Sequence, residues 1–152
     1  GARQWYPLDL GRPGWPDCPD AARQDLRRRL ETELNLADGD PVAVLGYSQG
    51  GAMALEAALA LPVAAIVSCS GYPHARGLRL PEADAPLPSV LLLHGRHDPV
   101  VPVGALDQLQ QSLRSAGVPV ETAVFACDHT IPAEAVEAMT VFLERITAAA
   151  GS

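Results

Sequence analysis

Three residues of the chain have the types and the order needed for nucleophilic catalysis. Ser48, Asp98 and His129 each stand just past an apolar run of the sequence. A serine hydroxyl becomes an effective nucleophile when a neighbouring base takes its proton. A histidine can be that base, and an aspartate can hold its imidazole in the correct tautomer and stabilise the charged form. The pattern predicts a triad in which Ser48 attacks, His129 carries the proton and Asp98 orients His129.

The candidate nucleophile lies in the segment Gly-Tyr-Ser-Gln-Gly-Gly at 46–51, between the apolar run 41–45 and the helix-favouring run 52–61. Strand, tight turn and helix are the context in which Gly-x-Ser-x-Gly forms a nucleophile elbow. We expect glycine to be required on both sides of Ser48, because strand and helix approach closely there. The backbone N–H of Gln49 is expected to supply one oxyanion donor. A glycine-rich turn without chemistry is the alternative.

The partners of the serine have alternative interpretations. Asp98 stands before a proline and could simply begin a turn, and His129 could be a surface histidine. Of the other histidines, His94 is expected in the core, His97 is expected to point away from Asp98, and His74 is expected to be solvated, with a lid role as its alternative. A metal site built from His94, His97 and Asp98 is a weak alternative, because no other zinc ligand pattern accompanies it.

Helices and strands alternate along the chain. Continuous apolar runs are typical of parallel strands that are covered on both faces, and apolar stripes at helical spacing mark the helices. The predicted elements are a helix at 20–34, strands at 41–45, 63–70, 90–94 and 118–126, and helices at 52–61, at 103–116 and from 132 onward. This order predicts an α/β fold with a parallel sheet and flanking helices. Active sites of such sheets gather at the carboxyl ends of the strands.

Finer expectations concern the N-terminal region and the helix surfaces. Residues 3–8 are expected to end a strand, and residues 9–19 to form a loop under which Trp5, Tyr6 and Trp15 pack rather than line a substrate site. Residues 37–41 are expected to form a turn, residues 71–88 a long loop, and the strand at 118–126 to lie nearer an edge. Asp20 is expected to cap the first helix, and the tail from 148 onward to fray. The expected buried stripe of the last helix consists of Val136, Met139, Leu143 and Ile146.

The composition of the chain limits the classes of function that it can have. The 152 residues suit a single domain, 1–152, and 48% of them are hydrophobic. A net charge of −7 argues against nucleic acid as a partner. No apolar run approaches the ~20 residues that span a bilayer, and no secretory signal is visible. Cys18, Cys69 and Cys127 give neither a disulfide framework nor a metal-ligand pattern, so a cytoplasmic location is expected.

From residue 6 to residue 146 the sequence resembles the phospholipase/carboxylesterase family of α/β-hydrolases, which includes the acyl-protein thioesterases. The resemblance is carried by Gly46–Gly51, by His94–Pro102 and by His129 before the last helix. It implies a serine hydrolase that cleaves a small-molecule ester or thioester through an acyl-Ser48 intermediate, with no cofactor and no metal.

The resemblance also implies that the acyl group lies near Tyr72 and Val101. Two other functions fit the same scaffold, since fold does not dictate function. One is a lyase or acyltransferase of a biosynthetic pathway, and the other is a binding protein without catalysis.

The sequence departs from the family pattern in two places. Members have glycine before the catalytic histidine, whereas this chain has Asp128, which we expect to point to solvent. The family also begins with further strands and a His-Gly-rich loop that supplies the second oxyanion donor. No such segment precedes residue 3, so we expect an N-terminal part to be missing. Residues 42–45 would then form an apolar sheet edge, which favours association or a homodimer.

Overall fold

The computed structural model of the chain describes residues 4–8, 13–34 and 40–150. The turn expected at 37–41 and the loop expected at 9–19 therefore lie partly outside the described residues, as do residue 3 and the last two residues of the tail. The described elements, in chain order, are α1 Asp20–Glu33, β1 Ala43–Tyr47, α2 Gln49–Ala58, β2 Ala65–Cys69, β3 Ser89–Gly95, α3 Gly104–Ser115, β4 Val120–Phe125 and α4 Ala133–Ala150.

The four described strands form one sheet in the order β1-β2-β3-β4, and every neighbouring pair is parallel. Tyr47 pairs with Cys69, and Gly95 pairs with Phe125, so the carboxyl ends of the strands meet at one edge of the sheet. The predicted parallel α/β sheet is confirmed. The segments that follow β1, β3 and β4 consequently emerge on the same side of the molecule.

Both faces of the sheet are covered, which explains the continuous apolar runs. Successive side chains of a strand point to opposite faces. Ile66 and Leu92 pack in the cluster that contains α2 and α3, whereas Val67 and Leu93 pack with Phe142 of α4 on the other face. The central strands β2 and β3 are therefore buried throughout, apart from the half-buried Ser89.

The outer strands differ from the central ones in burial. In β4 no residue is fully buried, as its alternating sequence predicted. In β1, Leu45 is 51% exposed and Tyr47 is 40% exposed, and the strand pairs with β2 alone among the described strands. The expectation that residues 42–45 lie at an apolar sheet edge is thus confirmed for the described part of the chain.

Residues 4–8 do not form a strand, contrary to the expectation. Their backbone hydrogen bonds go to a side chain instead of a neighbouring strand. The N–H of Trp5 donates to Oε1 of Gln49 over 2.6 Å, and Nε2 of Gln49 donates to the carbonyl of Tyr6 over 3.0 Å. One glutamine therefore takes the place of a strand partner.

One expectation about the helices was wrong, and another was confirmed only in part. Asp20 is the first residue of α1 rather than its cap, because Pro19 occupies the cap position, and no side chain caps this end. In α4, the expected Met139, Leu143 and Ile146 pack against the core and are partly buried. Val136, in contrast, is 51% exposed, and the fully buried positions are Ala135 and Phe142. The buried face is rotated by about one residue at the start of the helix, since a helix turns about 100° per residue. None of the described helices combines the length and the apolar character that crossing a bilayer requires.

Candidate active site

Ser48 occupies the tight turn between β1 and α2 in a conformation that is rare for a residue with a side chain. Its φ is 56° and its ψ is −121°. Its N–H donates to the carbonyl of Cys69 in β2 over 2.8 Å, and its own carbonyl accepts from Gly51 and Ala52 at 2.9 and 3.1 Å. A strained backbone of this kind persists only when its surroundings impose it. The turn therefore presents the Ser48 hydroxyl at the carboxyl edge of the sheet.

The close contacts of the turn require two glycines, of which Gly46 was expected and Gly51 was not. A Cβ at Gly46 would overlap the carbonyl of Gly50, and a Cβ at Gly51 would lie 2.7 Å from Oγ of Ser68. At Gly50 a Cβ would meet nothing within 4 Å. The expectation that glycine is needed directly after Gln49 was therefore wrong, because α2 approaches the sheet through Gly51.

The structure brings Ser48, Asp98 and His129 together at the strand ends. Nδ1 of His129 lies 2.6 Å from Oδ2 of Asp98, and Nε2 of His129 lies 2.9 Å from Oγ of Ser48. A carboxylate can only accept hydrogen bonds, so Nδ1 carries the proton and Nε2 is free to accept from the serine hydroxyl. This arrangement can withdraw the Ser48 proton as the oxygen attacks.

Both oxygens of Asp98 are used. Oδ1 accepts the backbone N–H groups of Val100 and Val101, each over 2.8 Å, while Oδ2 faces His129. Burial acts to raise the pKa of Asp98, but the hydrogen bonds from His129, Val101 and Val100 outweigh it and hold the pKa below its usual value. Oδ1 of Asp98 thus stabilises the turn that begins at this residue, as in the alternative interpretation of Asp98 as a turn residue. Oδ2, which is charged, faces the imidazole of His129.

A neighbour that the sequence analysis did not single out supports His129. The hydroxyl of Tyr47 donates to the carbonyl of His129 over 2.6 Å, and the two rings lie 5.0 Å apart between centroids. Tyr47 is the variable residue of Gly-x-Ser, and nothing in that pattern predicted this contact. Asp128, next to the histidine, is exposed, as expected.

The other histidines are not part of this hydrogen-bonded chain. His94 is buried and donates from Nε2 to the carbonyl of Val101 over 2.8 Å, and His97 is exposed. Both findings agree with the expectations. His74 was expected to be solvated, and this was wrong, because it is buried against Glu56 with 3.3 Å between Nδ1 and Oε2.

The described residues contain one group whose side chains could together approach a metal ion. The ligand atoms of Cys18, Glu56 and His74 lie within 4.8 Å of one another. Glu56 already has a cationic partner, since Nε of Arg79 lies 3.3 Å from its Oε1. The alternative set of His94, His97 and Asp98 has one exposed and two buried members and does not form such a group in the described chain.

A cavity of about 520 Å³ opens beside Ser48. Tyr72 and Val101, the two residues that the resemblance placed near an acyl group, line it together with Ser48. Trp15 also lines it and stacks on Tyr72, with 6.0 Å between ring centroids and 7° between planes. Tyr6 and Trp15 were expected to pack rather than to line a substrate site, whereas they do both.

A family model described as phospholipase/carboxylesterase matches residues 23–147 of the chain. Among solved structures, esterase PE8 is 30% identical, with a TM-score of 0.77, and the match covers 94% of this chain and 70% of that one. No curated protein sequence matches the chain significantly.

Two plant structures show the same architecture at lower identity. SOBER1 of Arabidopsis thaliana is 22% identical with a TM-score of 0.77, and the match covers 95% of this chain and 74% of that one. Acyl-protein thioesterase 2 of Zea mays is 21% identical with a TM-score of 0.71, and the match covers 92% and 70% of the two chains. At these identities the likeness establishes the α/β-hydrolase fold.

Proposed function

Because this chain belongs to the phospholipase/carboxylesterase family of α/β-hydrolases, we propose that it cleaves carboxylic esters or thioesters through an acyl-Ser48 intermediate. One observation carries this proposal, namely the unbroken path from Oγ of Ser48 through the imidazole of His129 to the carboxylate of Asp98, with contacts of 2.9 and 2.6 Å.

The first half of the reaction transfers the acyl group to the enzyme. Oγ of Ser48 attacks the carbonyl carbon, its proton passes to Nε2 of His129, and the carbonyl oxygen takes the negative charge. The charge on Asp98 stabilises the imidazolium that forms. The N–H of Gln49 is the first of α2 and has no acceptor within the helix, so it can donate to the oxyanion. His129 then gives its proton to the departing alcohol or thiol as the tetrahedral intermediate collapses.

The second half releases the acid. A water molecule gives a proton to His129 and attacks the acyl carbon, and the bond to Oγ of Ser48 breaks as His129 returns the proton to the serine. No step needs a cofactor or a metal.

The cavity beside Ser48 is the proposed acyl site. Its walls near the serine come from Val101 and from the stacked pair Tyr72 and Trp15. Its volume of about 520 Å³ suits a small to medium acyl group. Burial of apolar chain against these walls contributes about 0.8 kcal/mol per CH₂ group, which favours chains that fill the cavity.

The test measures the turnover of p-nitrophenyl esters of increasing acyl length by the wild type and by Ser48→Ala. We expect Ser48→Ala to lose turnover of every ester, and a fluorophosphonate probe to label the wild type but not this variant. Ser112→Ala is the matched control, because Ser112 is an exposed serine of α3. Equal turnover by Ser48→Ala and by the wild type would overturn the proposal.

A further inference from the structure

A chain of buried polar side chains runs behind the cavity and plays no part in the triad. The hydroxyl of Tyr6 lies 2.7 Å from the hydroxyl of Tyr72 and also 2.7 Å from Nε2 of His74. On the other side of the imidazole, Nδ1 of His74 lies 3.3 Å from Oε2 of Glu56. All four residues are 6% exposed or less. These hydrogen-bonded side chains thus link Tyr72, in a wall of the cavity, to the charged Glu56 in the interior of the molecule.

Glu56 is the fixed end of this chain. It lies in α2 among apolar neighbours, where a charge is costly unless partners compensate it. Arg79 supplies one partner, with Nε 3.3 Å from Oε1 of Glu56, and the same guanidinium reaches Asp20 at the surface over 3.4 Å. Burial acts to raise the pKa of Glu56, but His74 and Arg79 outweigh it and lower the pKa. A carboxylate is therefore present beside His74.

The carboxylate determines how the hydroxyls are arranged. Because a carboxylate only accepts, a neutral His74 places its proton on Nδ1 and leaves Nε2 as an acceptor. The hydroxyl of Tyr6 then donates to Nε2 of His74, and its oxygen accepts from the hydroxyl of Tyr72. The order Tyr72 to Tyr6 to His74 to Glu56 satisfies each member with one defined direction of donation.

Tyr6 is held at two points that both matter for the proposed site. Its hydroxyl is held by His74, and its carbonyl accepts from the side chain of Gln49, the residue that follows the nucleophile. Its partner Tyr72 forms the cavity wall with Trp15, and Nε1 of Trp15 in turn donates to Gln108 of α3 over 2.7 Å.

We propose that Glu56 and His74 are positioning residues for the acyl cavity: acting through Tyr6, they hold Tyr72 and the stacked Trp15 in place and so set which acyl chains the cavity accepts. This inference rests on the proposed function, because it assigns the selectivity of that same site. Neither residue touches the reacting atoms. Their effect should therefore appear in selectivity and in KM for the favoured ester rather than in the chemical step.

Tyr6→Phe is the most direct test, because it removes only the hydroxyl that joins the two halves of the chain. The ratio of kcat/KM between the best p-nitrophenyl ester and the acetate should fall about fivefold, the effect expected of one lost hydrogen bond. Most of this fall should come from a higher KM for the best ester. Glu56→Gln should lower the same ratio, because it removes the charge that fixes the proton of His74.

Leu113→Val is the matched control for lost stability. Leu113 is fully buried in α3 and packs in a different hydrophobic cluster from Tyr6 and Tyr72, so the change weakens the core and should leave the ratio unchanged. An equal fall of the ratio in Leu113→Val and Tyr6→Phe overturns the inference, and so does an unchanged ratio in Tyr6→Phe.

A second readout separates this inference from the proposed function. The chain has two tryptophans, so Trp5→Phe leaves Trp15 as the only one. In that background, Tyr6→Phe should increase the quenching of Trp15 by acrylamide, and Leu113→Val should not. If the wild type hydrolyses no ester, the proposed function is wrong. In that case, unchanged quenching of Trp15 in Tyr6→Phe overturns the positioning role as well. Increased quenching in Tyr6→Phe supports the positioning role for whatever ligand the cavity binds.

Discussion

The hydroxyl of Tyr47 donates to the main-chain carbonyl of His129 over 2.6 Å. The residue before the candidate nucleophile thus holds the residue that would deprotonate it. The two are 82 positions apart in the chain: Tyr47 is the last residue of β1, and His129 lies in the segment between β4 and α4. A contact outside the candidate triad therefore helps to hold His129 beside Ser48.

Tyr47→Phe removes this hydrogen bond and keeps the ring that lies against His129. The loss of one such bond corresponds to about 1 kcal/mol, so kcat should fall about fivefold. KM should change little, because Tyr47 does not line the cavity. Steady-state kinetics with a p-nitrophenyl ester provides the measurement. A rise in KM with an unchanged kcat would contradict the positioning of His129 by Tyr47.

Asp98→Asn should lower kcat by roughly 10⁴-fold, the effect that the same change has in a serine protease with a Ser-His-Asp triad. An amide can donate to Nδ1 of His129, which moves the imidazole proton to Nε2 and removes the acceptor of the serine proton. Asp128→Asn is the control, because it removes an exposed carboxylate one residue from His129. Comparable losses in both variants would show that the negative charge near His129, rather than the hydrogen bond that Asp98 accepts from its Nδ1, controls the rate.

Gly51→Ala and Gly50→Ala form a matched pair in adjacent positions of α2. The added methyl group of Gly51→Ala lies 2.7 Å from Oγ of Ser68, so this variant should lose stability, by about 1 to 3 kcal/mol. Gly50→Ala meets no neighbour within 4 Å and should gain up to about 1 kcal/mol from helix propensity. Urea unfolding of the two variants measures the difference, and equal stabilities would contradict the close approach at Gly51.

The difference in unfolding free energy between the wild type and Glu56→Gln should depend on pH. The pKa of Glu56 is lowered in the folded chain, so its charged form contributes stability above the usual glutamate pKa of about 4.3, and this contribution is lost as the pH falls through the folded value. Relative to the wild type, we expect Glu56→Gln to be about 2 kcal/mol less stable at neutral pH. The deficit should shrink below about pH 4.

Urea unfolding at several pH values, with Glu144→Gln as the exposed control on α4, measures this dependence. A deficit that stays constant from neutral to acid pH would contradict the contribution of a charged Glu56.

Leu45→Lys tests whether the outer edge of β1 drives self-association. An apolar, unpaired strand edge invites pairing with another chain, and a lysine there opposes it. We expect the wild type to associate with rising concentration in sedimentation experiments, and Leu45→Lys to associate less. Leu80→Lys is the control, because Leu80 is similarly exposed, at 48% against 51%, but lies in the loop between β2 and β3. Equal behaviour of the two variants would exclude the strand edge as the contact.

The parallel sheet and the approach of Ser48, Asp98 and His129 could be predicted because both depend on local patterns. Continuous apolar runs identify covered parallel strands, and the ends of such strands meet at one edge. Residues placed just after them are therefore brought close whatever the details of packing.

The hydrogen-bonded chain of side chains behind the cavity could not be predicted, because its members come from separate parts of the sequence that have no regular pattern. Tyr6 precedes a proline-rich segment, Glu56 lies in an apolar helix, and His74 lies in a loop that suggested exposure to solvent. Each ring nitrogen of the buried His74 faces one of the other two residues, a pairing that no local pattern in the sequence indicates. The same limit applies to the glycines of the elbow, since only the packing of α2 on β2 distinguishes Gly51 from Gly50.

The bond between Trp15 and Gln108 joins residues 93 positions apart, and the contact between Ser48 and His129 joins residues 81 apart. Closing such long loops is slow compared with forming local structure. In a growing chain, Ser48 is synthesised well before Asp98 and His129, its two partners in the candidate site. A chain whose synthesis has not reached residue 129 consequently carries its serine without the base that would activate it.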